Sequence, residues 1–239
     1  MNLSFVALKV TRYSDSQSIL TAYSREFGRV SLALPAGNGR AAARLRALPM
    51  PLGVVECQTE RRPGREIMPM RQAIQAFPLK SLHSNPVKQM VAMFLSEVLA
   101  LTLQAGEPDR ALYDFIVAAV EFLDSADEAR TANFHICFLY YLGRHLGIEP
   151  DVSTYAHGRV LDLVDGIWRQ SAPIHGRYLS PDDSSVAYRL SRMTFANLHR
   201  YRFGRADRNR ILDALLEYYS IHYVSLRNMR TLDILRALL

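Results

Sequence analysis

Cationic side chains are the groups in this sequence best placed to do chemistry, and they come in two crowds. Lys9, Arg12, Arg25, Arg29, Arg40, Arg44 and Arg46 fall within the first fifty residues. Arg189, Arg192, Arg200, Arg202, Arg205, Arg208 and Arg210 occupy twenty-two residues in which only Asp207 opposes them. Tyr188, Phe195, His199, Tyr201 and Phe203 are mixed among the second set. A guanidinium pairs with two phosphate oxygens at once, and arginine interleaved with aromatic rings suits a single nucleic-acid strand, whose bases stack while its phosphates are paired. The competing reading makes those rings core and pairs the arginines with the acidic residues between 107 and 128.

Other chemistries find little support. There is no Gly-x-x-x-x-Gly-Lys-Ser/Thr phosphate loop, no His-Glu-x-x-His and no Gly-x-Ser-x-Gly, and Gly37-Asn38-Gly39 does not continue into a dinucleotide-binding turn. Asp182-Asp183 follows Ser180-Pro181, where first-turn carboxylates are favoured by the helix dipole, so a metal-binding pair is not read there. The seven histidines are scattered singly, and His135 lies among apolar neighbours as a packing residue. Cys57 and Cys137 stand eighty residues apart with no histidine at zinc-site spacing. Reduced, buried thiols and no metal or other cofactor are expected, and no catalytic residues are assigned.

The charge is segregated. Residues 1–75 hold eleven Lys/Arg against five Asp/Glu, a balance of +6. Residues 76–188 hold eight against fourteen, −6, and residues 189–239 ten against four, again +6. Two basic blocks around an acidic one are what a polyanion-binding surface requires, because cations that meet phosphates release condensed counterions. With 49% apolar residues the 239-residue chain can bury a sizeable core. No apolar run approaches the ~20 residues that span a bilayer, and Met1 to Lys9 has no signal-peptide pattern, so a cytoplasmic protein is expected, nucleoid-associated where its cations meet DNA.

Elements able to position these cations follow from the pattern. Residues 3–12, 18–24, 30–34, 52–59 and 67–74 read as five strands, the last interrupted by Pro69 and so at an edge or bulge. Turns are expected at 14–16, at Arg25 to Arg29 with Gly28 at positive φ, and at 61–65, and a loop at 35–40 leads into Arg44 and Arg46. Five short strands fit a small barrel such as an OB-fold, and an SH3-like barrel fits nearly as well. From Pro78 onward the rhythm is helical. Asn85-Pro86 opens a helix that ends near Gly106, Pro108 opens a second, and a third, apolar nearly all round, runs from about Thr131 to Leu146 and is stopped by Gly147. Asp165-Gly166 suggests a short hairpin. Helices resume after Ser180, with Asp207 capping the next and a last one through Leu232 and Leu235. The expectation is α+β: a barrel over 1–78, then an α-helical domain over 79–239 with an irregular hairpin insertion at 149–180.

In order and spacing the chain resembles the RecO family of bacterial DNA repair and recombination mediators, in the form lacking its zinc module. The resemblance is carried by Tyr13 to Arg29, Pro51-Leu52, Lys88 to Glu97, Asn133-Phe134-His135 with Leu146 to Pro150, Arg208 to Asp213 running into Tyr218 to His222, and Ser225 to Leu235. It covers essentially the whole chain. It implies an N-terminal OB-fold, binding of single- and double-stranded DNA, annealing, and assistance to RecA on DNA coated by single-strand-binding protein, with RecR as partner. It also implies a pocket for that protein's acidic, hydrophobic tail, which no motif places; Arg130 and Arg144 bracket the region assigned to it. Where many members carry zinc-binding cysteines, residues 151–158 hold none, so no zinc is expected. The DNA-binding set expected is Lys9, Arg12, Arg25, Arg29, Arg40, Arg44, Arg46, Arg200, Arg202, Arg205, Arg208 and Arg210. A non-DNA adaptor that takes acidic protein tails is the alternative, and an enzyme with a dispersed site the remoter one.

Overall fold

The computed structural model describes residues 1–14, 17–37, 39–61, 64–104 and 108–239; the middle of the expected turns at 14–16 and 61–65, Asn38 of the expected loop, and the helix end at Gly106 lie outside these. Contacts divide the chain into two compact units, Met1–Ser125 and Ala126–Leu239. Among the described residues, three helices fall in the first unit with the sheet, two of them beyond the change of strands into helices near residue 78.

The first unit is built on β1 (Asn2–Arg12), β2 (Ser18–Ser24), β3 (Gly28–Ala33), β4 (Val54–Gln58), β5 (Ile67–Pro69) and β6 (Arg71–Gln75), in the order β5-β3-β2-β1-β4-β6. The predicted fifth strand is therefore two strands. β5 pairs in parallel with β3 and β6 antiparallel with β4, so residues 67–75 reach both edges through Met70, which is buried and donates its N–H to Ala33 O at 3.1 Å. One segment serving both edges forces the sheet to curl into a half-barrel, as Pro69 at the junction anticipates. Two bulges sharpen the curl. In β1, Leu8 is extra between Ala7 and Lys9; in β6 the extra residue falls between Arg71 and Ile74, where Gln72 has φ 45°. The β2–β3 turn places Gly28 at φ 63°, as expected.

Alternation along β1 sends Leu3, Phe5 and Ala7 into the barrel core with Leu20, Leu32 and Met68, and buries Val6 on the other face, where the helix Pro86–Thr102 packs on β1. After the expected loop at 35–40, residues to which the sequence assigned no element form helix α1 (Arg40–Ala47), whose Leu45 lies with Leu48 against the barrel core. Helix α2 (Pro86–Thr102) starts where predicted: Asn85 Oδ1 accepts the N–H groups of Val87 and Lys88 at 3.0 and 3.2 Å. Helix α3 (Arg110–Ser125) is capped by Asp109 rather than opened by Pro108. Asp124 binds it to the strand-to-helix connection, accepting from the N–H groups of Lys80, Ser81 and Leu82 at 2.9, 2.8 and 2.7 Å.

In the second unit, α4 (Glu128–His145) is buried along most of its length, from Asn133 to Tyr140 without a break. A 3₁₀ turn precedes the two-stranded hairpin β7 (Val160–Asp162) and β8 (Ile167–Arg169), and α5 (Pro181–Leu190), a further 3₁₀ segment at Phe195–Arg200, α6 (Arg205–His222) and α7 (Leu232–Leu238) complete it. Trp168 on the hairpin is buried with Leu161, Leu163 and Tyr218. Gly166 cannot be replaced cheaply: φ is 67° and a Cβ there would meet Tyr218 Oη at 2.6 Å. Asp207 caps α6 from its third position, accepting from the Gly204 N–H, instead of standing at the cap itself. The mixed α+β class, with a barrel-like sheet followed by helices and a small hairpin, agrees with the reading of the sequence. Among the described residues no helix is long and apolar enough to cross a membrane.

Candidate nucleic-acid interface

Strand register distributes the first cationic set between two rims of the sheet. Arg12 pairs with Ser18, and Leu34 N–H bonds to Ser18 O, so the end of β1 and the end of β3 share one rim. Helix α1 is tied to that rim by Arg46, whose Nη1 donates to Pro35 O at 2.9 Å and Gly37 O at 2.7 Å. Arg40 and Arg44, four apart on α1 and therefore on one face, are exposed and have no described carboxylate partner. Lys9 is exposed on the same half of β1, and Arg12 Nε reaches Ser14 O at 3.3 Å.

Arg25 and Arg29 lie at the opposite rim. The Arg25 N–H bonds to Ser4 O, eight residues along β1 from Arg12, about 25 Å at strand rise. The Arg25 side chain stands 3.5 Å from Asp114. Arg29 donates to Ala100 O at 2.8 Å and Leu103 O at 2.6 Å, satisfying carbonyls that the C-terminal end of α2 leaves without helical partners. The barrel cations thus do not form one face: Lys9, Arg12, Arg40 and Arg44 gather at one rim, Arg46 props it, and Arg25 and Arg29 serve the other.

In the second unit the expected cluster also divides. Arg205 donates to Ala237 O, and Arg208 to Leu239 O and Phe203 O, holding α7 and the segment before α6. Arg210 pairs with Asp183 at 2.7 Å and Asp207 at 3.0 Å. These three are committed to internal contacts. Arg200 and Arg202 are exposed and unpaired among the described residues. Arg189 and Arg192, further upstream, sit over rings: the Arg189 guanidinium lies 5.8 Å from the Tyr201 centroid and that of Arg192 5.2 Å from the Tyr188 centroid. The expectation that these rings stack bases meets an obstacle of geometry. Tyr188 is stacked on Tyr155 at 3.7 Å on top of its contact with Arg192, and Phe195 is stacked on Phe134 at 5.1 Å. Their faces are already used.

Arg130 pairs with its own cap residue Asp127 at 2.5 Å, and Arg144 with Glu149 at 2.9 Å. The two cysteines are free and buried, and burial pushes their thiols up, Cys57 to about 11 and Cys137 to about 12. Among the described residues no group of three His, Cys, Asp or Glu is placed to hold a metal. The insertion is organised instead by Asp162. Its buried carboxylate accepts from the N–H groups of Val164 and Asp165 at 2.9 and 3.2 Å and from Arg169 Nε at 2.8 Å, with His175 Nε2 at 3.2 Å. No motif marks this residue in the sequence. Its one signal is an acidic side chain inside the otherwise apolar run Val160 to Val164.

Comparison with known proteins agrees with this architecture. Residues 1–77 match the family model described as Recombination protein O N terminal, and residues 83–230 that described as Recombination protein O C terminal. A protein of Porphyromonas gingivalis named DNA repair protein RecO is 37% identical over 241 residues, covering 98% of this chain and 96% of its own. Proteins of the same name are 30% identical in Azobacteroides pseudotrichonymphae, covering 97% and 96%, and 29% identical in Phocaeicola vulgatus, covering 98% and 96%.

Proposed function

The chain belongs to the RecO family of DNA repair proteins, and from that premise we propose that it is a recombination mediator: it binds single- and double-stranded DNA, anneals complementary strands, and helps RecA onto DNA coated by single-strand-binding protein. The observation that carries the DNA-binding part is the rim formed by Lys9, Arg12, Arg40 and Arg44, where Arg40 and Arg44 project from one face of α1 without any described carboxylate to neutralise them. Such a surface holds phosphates irrespective of sequence, and it needs no cofactor and no catalytic group. Residues 1–78 are the DNA-binding domain in this reading, and the protein works in the cytoplasm at the nucleoid.

RecR and the tail of single-strand-binding protein are its proposed partners, with RecA engaged indirectly. An apolar pocket of about 80 Å³ in the second unit, lined by Leu139, Ile148, Leu161, Val186 and Leu215, has the chemistry for one apolar side chain. That supports the apolar part of such a tail, since Arg210 at the pocket is already paired with Asp183 and Asp207.

The test is a titration of labelled oligo-dT with the full chain across a range of salt. Binding should weaken steeply as salt rises. The R40E/R44E variant should keep its far-UV spectrum, since neither side chain makes a bond among the described residues, and lose affinity at least tenfold. Unchanged affinity would remove the rim from the interface.

A further inference from the structure

Between Tyr188 and Gly204 there are four arginines, His199 and no acidic residue. Elsewhere in the second unit Arg130, Arg144, Arg169, Arg210, Arg227 and Arg236 pair with carboxylates. Arg189, Arg192, Arg200 and Arg202 have no carboxylate partner among the described residues. Three of them, with Asn197 and Tyr201, line a shallow depression of about 340 Å³.

The frame around this depression is tightly built. Asn197 Oδ1 accepts the Thr194 N–H at 2.7 Å while its Nδ2 donates to Arg192 O at 2.9 Å. Tyr201 Oη donates to Arg189 O at 3.2 Å, and Asn133 Nδ2 of α4 donates to Tyr201 O at 2.6 Å. Arg192 Nη2 donates to Tyr188 Oη at 2.8 Å. Two guanidiniums are thus parked over rings, with less rotamer freedom left to lose when an anion arrives. Because the amide of Asn197 is spent and the Tyr188 ring is covered, the groups left to meet a ligand are cation edges. That favours a sequence-blind contact to backbone phosphates over base stacking.

We propose that the segment 188–204 is a second site for the phosphodiester backbone of DNA, formed by Arg189, Arg192, Arg200 and Arg202 and separate in sequence from the α1 rim. The proposal rests on the DNA-binding reading above and adds to it where in the helical unit the strand is held. It also removes Arg205, Arg208 and Arg210 from the interface.

Arg200 and Arg202 are exposed and form no hydrogen bond or ion pair among the described residues, so R200Q/R202Q folds as the wild type does. Anisotropy of labelled oligo-dT is measured with the full chain at several salt concentrations for the wild type, R200Q/R202Q, R40Q/R44Q, and R177Q/R227Q, a control that removes the same charge from the same unit. The expected result is that R200Q/R202Q lowers the slope of log K against log salt by about 1.4, two phosphates at about 0.7 each, while R177Q/R227Q leaves it unchanged. The site is overturned if R200Q/R202Q has the wild-type slope, or if the control lowers the slope equally. A slope reduced in R40Q/R44Q alone sinks this site and leaves the DNA-binding function standing; a flat wild-type slope sinks both. Loss of poly-glutamate binding in R200Q/R202Q with its oligo-dT slope intact makes the segment a protein-docking surface and also overturns the proposal.

Discussion

Two buried ionisable side chains tie stability to acidity, and they do so through different physics. For Asp162, burial alone would raise the carboxyl pKa, but the hydrogen bonds from Asp165 and Val164 N–H, Arg169 and His175 outweigh it and hold the group below its ordinary range. A depressed folded-state pKa means stability that is present above the unfolded value near 3.9 and is lost as pH falls toward the folded one. D162N keeps the shape and removes the charge that four donors address; its unfolding free energy from urea melts should fall by about 2 kcal/mol at neutral pH, and the gap to wild type should close in acid. His135 is the second case. Burial, helped by the nearby Arg208, brings its pKa down to about 3, so the native state refuses a proton that the unfolded chain takes below about 6.5. Stability should therefore drop by about 1.4 kcal/mol per pH unit between those limits on its account, and urea melts of H135Q should show a correspondingly flatter profile over the same range. The sequence placed His135 in the core from its apolar neighbours. Asp162 escaped notice because its donors, two N–H groups of the turn and two side chains beyond it, come together only when the hairpin folds.

At the level of elements, the starts of α2 and α5 were legible because capping is local. Asn85 and Ser180 each accept an N–H two or three residues ahead, and replacing Asn85 with alanine should cost about 1 kcal/mol in a thermal melt. Helix α1 was missed since it offers no side-chain cap and no buried residue, only Leu45 half-buried at the barrel. The division of the cations was hidden for a related reason. Arg29, Arg46 and Arg208 bond to main-chain carbonyls, and a carbonyl left over at the end of a helix or in a loop has no residue type that betrays it. This separates two kinds of arginine experimentally. R29Q should lower the unfolding free energy by about 1.5 kcal/mol through the loss of a charged hydrogen bond at the end of α2 and leave the salt slope of DNA binding untouched, whereas R40Q/R44Q should do the reverse.

Over the whole molecule, the segregation of charge into blocks of +6, −6 and +6 was visible in the sequence, and with it the expectation of a polyanion-binding surface. The number of cations free to express it was not, because about half of the expected set is occupied internally. A salt slope that counted all twelve expected residues would exceed 8 for a single strand; Lys9, Arg40, Arg44, Arg200 and Arg202, which form no bond among the described residues, support about 3.5 of that. The sheet itself carries one more consequence. Residues 67–75 are the common stitch of both its margins, since β5 and β6 are the outermost strands of the order. Undoing the stitch at Met70, as Met70→Asp should, unpicks both seams in a single event, and the first symptom to look for is clumping of the protein on standing, ahead of any fall in its melting point.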